Sequence, residues 1–351
     1  MLKERDAWLD NVKAILITLV IIGHLISPIT KWSDLMLIIY QVIFFFHMPC
    51  FIMLSGYFSK RRINQKDAAA IINKLLIPFL IWNFGLYVLY TFTGSLERYT
   101  DYNTPSLFIW LRPIYALWYI WAIFLYSCIT IYLNNRIKSK GKFLFLTLIL
   151  SVGIGFFEPI KYMQISKVKS FYPYFYLGYI LENEKLNLLK DKRLKVFSGA
   201  VFIVISLFAV KYHNYIPRQI YLMELPYHTY VGDNYIIHGA IARVVMIGVA
   251  IILSAALLNL TSTKNNLFTY VGRYSIYGYV LHTYCIMLSR IIDVKVFSIY
   301  KRVNTLEEYI LILVVGMLLS ALLASTAVRQ KTKNFVEPHC DIKALLKSII
   351  S

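Results

Sequence analysis

The chain has 351 residues, 58% hydrophobic and only 16% charged, with a mean hydropathy of +0.59. Soluble chains carry about 25% charged residues, so this composition, joined to successive apolar runs of about twenty residues, excludes soluble globular, disordered, fibrous and small disulfide-rich classes. The net charge of +19, from 37 Lys and Arg against 18 Asp and Glu, would suggest nucleic acid in a soluble protein, but membrane proteins collect Lys and Arg in cytoplasmic loops.

An α-helix rises about 1.5 Å per residue, so a bilayer core of about 30 Å takes about twenty apolar residues. That rule predicts spans at 12–29, 35–57, 75–94, 113–133, 143–160, 171–182, 194–211, 236–260, 268–292 and 308–328, the sixth being short. The first run carries His24 and is followed by no small-residue cleavage site, so it is expected to stay as the first helix rather than be removed as a signal. With both termini inside, and with Lys195 and Arg273 near the inner span ends and Lys211 at an outer one counted with the adjoining loops, the cytoplasmic side holds 23 Lys and Arg against 11 outside, leaving Lys13, Arg243 and Arg290 within spans, which favours that orientation.

The expectation is an all-α helical bundle of about ten transmembrane helices, multi-pass in the plasma membrane. Residues 1–330 form its membrane domain and 331–351 a short basic cytoplasmic tail. External loops hold Tyr99, Asp101, Tyr102, Tyr212, His213, Tyr215, Tyr227, His228 and Tyr230, a composition shared by interfacial aromatic belts and sugar-binding surfaces. Cys50, Cys128, Cys285 and Cys340 are scattered, with no metal-ligand spacing.

Ionisable groups inside spans cost about 2.5 to 3.5 kcal/mol on insertion scales and mark function by default. Lys13 and His24 are eleven residues apart, which returns them to within about 20° of one helix face and separates them by about 16 Å along the axis. Asp10, three residues before Lys13, is placed to pair with it. His24, His47 and His282 fall at a similar depth, about 15 to 18 Å above the cytoplasmic face. No carboxylate or thiolate sits beside them, so no metal is expected. Arg243 cannot readily lose its proton and must meet a cavity, an anion or carbonyl groups. Pro49 removes a backbone donor and bends the second helix beside His47, and Ser55 and Gly56 permit close approach of a backbone or ligand.

Five blocks in order resemble the acyltransferase family 3 membrane proteins, in particular their fucose 4-O-acetylase-like polysaccharide O-acetyltransferase branch. They are Leu9-Asp10-Asn11-Val12-Lys13 with Gly23-His24; Phe46-His47-Met48-Pro49 with Leu54-Ser55-Gly56-Tyr57; Leu117-Trp118-Tyr119; Phe171-Tyr172-Pro173-Tyr174-Phe175 with Gly178-Tyr179; and Tyr274-Ser275-Ile276-Tyr277 with Leu281-His282. Two features depart from the pattern. The opening basic residue is Lys13 rather than Arg, and of the Arg-x-x-Arg before the third helix only Lys74 matches.

The resemblance implies an O-acetyltransferase moving an acetyl group from acetyl-CoA to a hydroxyl of a cell-surface polysaccharide (exopolysaccharide) or its lipid-linked precursor. It implies His24 as general base with Lys13, His47 and His282 in the catalytic set. Asp10, Lys13, Ser55, Arg61, Arg62 and Lys74 are expected at the acetyl-CoA donor, and Trp118 and Arg243 at the acceptor. The partners are then the lipid bilayer and a glycan or lipid-linked sugar, with no nucleic acid; a homodimer is open. The alternative is a transporter or flippase for a glycan or lipid-linked sugar, which explains the helices and buried cations but not the register of Lys13 with His24.

Overall fold

The computed structural model describes residues 6–94, 112–134, 136–159, 162–293, 300, 302–338 and 340. The loop residues Tyr99, Asp101 and Tyr102 and the end of the basic tail, 341–351, lie outside them. In chain order the α-helices are α1 Ala7–Ile26, α2 Asp34–Asn64, α3 Ala68–Ile71, α4 Ile77–Thr93, α5 Trp118–Asn134, α6 Lys140–Gly153, α7 Ile165–Ile180 and α8 Asn183–Leu188. They continue as α9 Lys195–Tyr212, α10 Arg218–Leu222, α11 His228–Val231, α12 Ile236–Leu260, α13 Leu267–Arg273, α14 Ser275–Ile292, α15 Leu306–Leu323 and α16 Thr326–Val336. No strand occurs among the described residues.

Each of the ten expected spans falls on a helix, and seven helical stretches are long and apolar enough to cross a membrane. The chain is therefore a multi-pass helical membrane protein. The other three differ from expectation for separate reasons. α6 stops at Gly153 after 14 residues and tightens into a 3-10 turn, too short at about 21 Å to cross alone. α7 begins at Ile165, six residues before the expected start, and runs through Pro173. The ninth segment breaks at Tyr274 (φ −115°, ψ 25°) into α13 and α14, and α14 carries Tyr, His, Thr, Ser and Arg side chains because much of it faces protein.

The chain forms two compact units. The first comprises Met1–Phe51 and Leu181–Val328, with α1 at its centre. Asp6 caps α1 by accepting from the Trp8 amide at 3.0 Å, satisfying one of the amides a helix start leaves unpaired. Buried residues then lie all around α1, including the polar Asp10, Asn11 and Thr18. Each of these three has a polar partner. The Trp8 indole donates to the Leu258 carbonyl (2.8 Å), Asn11 donates to the carbonyls of Ser262 and Lys264 and accepts from Thr269, and Thr18 donates to Ser320 (2.9 Å). Asp10 pairs with Lys13.

Glycine allows α13 to approach α1: a Cβ at Gly272 would overlap the Asp10 carbonyl oxygen. α15 starts with a capping box, in which Thr305 and Glu308 satisfy each other's backbone amides.

The second unit comprises Ile52–Ile180 and Arg329–Ser351. Here the later part of α2 crosses α7 at two glycines. A Cβ at Gly56 would overlap the Phe175 carbonyl, and one at Gly178 the Met53 carbonyl, the close approach that small residues permit between membrane helices. Around this crossing the Tyr179 hydroxyl bridges Asn64 and Asn134 at 2.8 and 2.7 Å. Trp82 ties α16 to α4 by donating to the Phe335 carbonyl.

Candidate active site

Three histidines arise from three helices of the first unit. His24 lies on the last turn of α1, His47 on α2 two residues before Pro49, and His282 in the middle of α14. The rings of His24 and His282 stack with centroids 5.4 Å apart and planes 21° from parallel. Phe44 joins the third: its ring meets His47 edge-on at 4.5 Å and His24 edge-on at 6.3 Å. The similar depth expected from span arithmetic is thus accompanied by lateral contact through aromatic faces.

Hydrogen bonds fix the tautomers of two of them. His47 Nδ1 is 2.8 Å from the Ile43 carbonyl oxygen and His282 Nδ1 is 3.0 Å from that of Gly278. A carbonyl only accepts, so each Nδ1 carries the proton and donates, leaving a lone pair on each Nε2. His282 Nε2 has no hydrogen-bond partner among the described residues. His47 and His282 are 1% and 0% exposed, whereas His24 keeps part of its surface accessible. Of the three histidines, His24 is the one that is not fully buried.

Arg290, two turns after His282 on α14, donates from Nη2 to the His24 backbone carbonyl at 3.0 Å. This cation ties the end of α1, whose last carbonyls lack intrahelical partners, to α14. At the other end of α1, Lys13 Nζ pairs with Asp10 Oδ1 at 2.6 Å, as their spacing predicts. The Asp10 side chain is 3% exposed, the Lys13 side chain 16%.

Arg243 is buried on α12 with its guanidinium over the Tyr227 ring at 4.9 Å, and Nη2 donates to the Leu225 carbonyl. Burial pushes the Tyr227 phenol up to about 12, against the opposing charge of Arg243. Tyr227 is therefore neutral at working pH and offers the cation a ring face. Arg243 braces the 223–231 loop by contacts of its own.

The other expected site residues belong to the second unit. Ser55 shares a 2.5 Å hydrogen bond with the Tyr119 hydroxyl. Trp118 is buried against Phe171 (5.3 Å), with the Lys167 ammonium over its ring at 4.7 Å. Arg62 donates to Ser59 at 3.3 Å, while Arg61 and Lys74 are exposed, Lys74 within a π-helical segment Ile72–Leu76. Arg290 reads in the sequence as a cation in a span with no assigned role, and Phe44 as one of three successive phenylalanines. The signal for Phe44 was available: it lies three residues before His47, on the same helix face.

Two relatives are similar over part of their length. "Nodulation protein NolL" of Mesorhizobium japonicum is 31% identical over 190 residues, 50% of this chain and 48% of the relative. "Nodulation protein NolL" of Sinorhizobium fredii is 26% identical over 211 residues, 56% of this chain and 55% of the relative. The chain spans about half the length of these curated relatives. No solved structure matches. The family described as an acyltransferase domain, Acyl_transf_3, matches residues 6–325, which include all three histidines, Lys13 and Arg290, and the chain belongs to that family.

Proposed function

We propose that the protein is an integral membrane O-acyltransferase that moves an acetyl group from acetyl-CoA to a hydroxyl of a cell-surface polysaccharide or its lipid-linked precursor. One observation carries the reading. His24 is a partly accessible imidazole, stacked on a buried histidine of fixed tautomer, in a chain whose family match covers residues 6–325.

A sugar hydroxyl is a poor nucleophile at neutral pH and needs a base whose pKa lies near working pH, the range of histidine. A ring nitrogen of His24 takes the hydroxyl proton as the sugar oxygen bonds to the thioester carbonyl carbon. The carbon–sulfur bond then breaks, and the proton goes to the departing CoA thiolate. His282 and His47 act as positioning residues: stacking and the Phe44 contact hold the His24 ring, and neutral neighbours leave its basicity to the site.

For the donor, the phosphates of CoA are polyanionic and are captured electrostatically. Lys13, oriented by Asp10, is the cation proposed for this. On the acceptor side, Arg243 shapes the loop it braces. The plasma membrane, with both termini inside, is the proposed location.

The test compares cell-surface glycan from a deletion strain complemented with the wild-type chain or with His24→Ala, by mass and proton NMR. Acetyl signals restored by wild type alone support the proposal. Acetyl signals restored equally by both, at equal protein level, refute the role of His24; restoration by neither refutes the transfer.

A further inference from the structure

Above His24, at the α1–α2 turn, a guanidinium stands among neutral partners. Arg218 opens the five-residue α10 and is the single Lys or Arg in residues 212–235. Its Cζ lies 4.6 Å from the Tyr40 ring centroid, and Nη2 donates to Ser27 Oγ at 3.4 Å. Its charge also acts on the hydroxyls of Tyr40 and Tyr221. Arg218 Nε is buried with no hydrogen-bond partner. The acid at the start of α2, Asp34, is 3.6 Å from His213 instead, and no acid pairs with Arg218 among the described residues.

Arginine cannot discharge itself by losing a proton, and a half-buried cation whose partners are all neutral is stabilised by an anion that meets it. Arg290, a second guanidinium, bonds the His24 carbonyl. The place is close to the proposed chemistry. Ser27 is three residues beyond His24, about 4.5 Å along the axis, and Tyr40 stacks on Phe44 at 3.8 Å, the ring that meets His24 edge-on.

We infer that Arg218, with Ser27, Tyr40 and Tyr221, is an anion-binding subsite for the acceptor, taking a carboxylate or phosphate that the acceptor carries about one helical turn from the hydroxyl to be modified. The inference rests on His24 as the place of transfer. A planar fork of donors suits either oxyanion, and two sources supply one: a uronic acid within the glycan, or the phosphate that links a sugar to its carrier.

The test uses the full chain purified in detergent, with methyl glucuronide, glucose 1-phosphate and methyl glucoside as probes of binding. Wild type is expected to bind at least one anion about tenfold to a hundredfold more tightly than the neutral glycoside, with an advantage that falls as salt rises. Arg218→Gln should bring the anion to the level of the glycoside, and Arg218→Lys should keep part of the advantage. Preference for the glucuronide identifies an acidic sugar, and preference for the sugar phosphate a phosphate-linked one.

Equal binding of all three probes by wild type, or an advantage undiminished in Arg218→Gln, overturns the subsite. Parallel assays of acetyl transfer to the same probes separate the two readings. Anion binding through Arg218 with no transfer to any acceptor sinks the transferase and leaves the subsite. Transfer that ignores charge sinks the subsite and leaves the transferase.

Discussion

α1 and α9 both qualify by length and composition as membrane spans, yet 78% of the α1 span is buried inside the protein against 11% of the span containing α9. α9 turns Val196, Phe197, Ile203, Val204, Leu207 and Phe208 outward, which suits lipid and asks for no partner. α1 is wrapped on all sides, and its polar groups each find a protein group to meet. Titratable groups in such a bundle belong on the helix that protein surrounds. A helix shielded from lipid can carry Asp10, Lys13 and His24 at a cost its neighbours offset, whereas a lipid-facing helix has none to help.

The comparison breaks most severely at the contact that lets α13 reach α1. Gly272→Val forces a side chain into the Asp10 carbonyl and should cost on the order of 3 to 5 kcal/mol, read as loss of folded protein in detergent-solubilised membranes. Next comes His282→Ala, which removes the ring stacked on His24 and leaves that imidazole without the contact that positions it. We expect kcat to fall about tenfold to a hundredfold with the acetyl-CoA KM unchanged, checked by initial rates at varied donor. Asp10→Asn removes the carboxylate that pairs with Lys13 and should lower stability by about 1 to 2 kcal/mol, with a raised apparent acetyl-CoA requirement in the same rate assay. The smallest effect is on α9. A Cβ at Gly199 meets nothing within 4 Å, so Gly199→Ala should be neutral or stabilise by up to about 1 kcal/mol, measured as the midpoint of thermal unfolding.

Much of this was legible in the sequence. Every apolar run marked a helix, because a bilayer leaves the backbone no alternative but to bond within its own segment. The helix ends were less legible. The early start of α7 was hidden by Lys167 and Lys169, which read as loop, and the break at Tyr274, just after Gly272 and Arg273, lies inside a stretch whose hydropathy reads as one span. At the site, helical geometry placed Lys13 near Asp10 and gave the three histidines a common depth. It was silent on the stacking of His24 on His282, on Phe44 as the ring between His24 and His47, and on the Arg290 bond to the His24 carbonyl, since these depend on which helices are lateral neighbours. Arg218 was hidden for another reason: a lone arginine in a loop looks like any solvated charge until its neutral surroundings are known.

In the proposed reaction the partly accessible imidazole of α1 performs the proton transfer. Membranes holding equal amounts of wild-type or His24→Ala protein, incubated with labelled acetyl-CoA and the glycan acceptor, measure it directly. The variant is expected to transfer label at least about a hundredfold more slowly at an unchanged acetyl-CoA KM. Transfer by His24→Ala at the wild-type rate would contradict it.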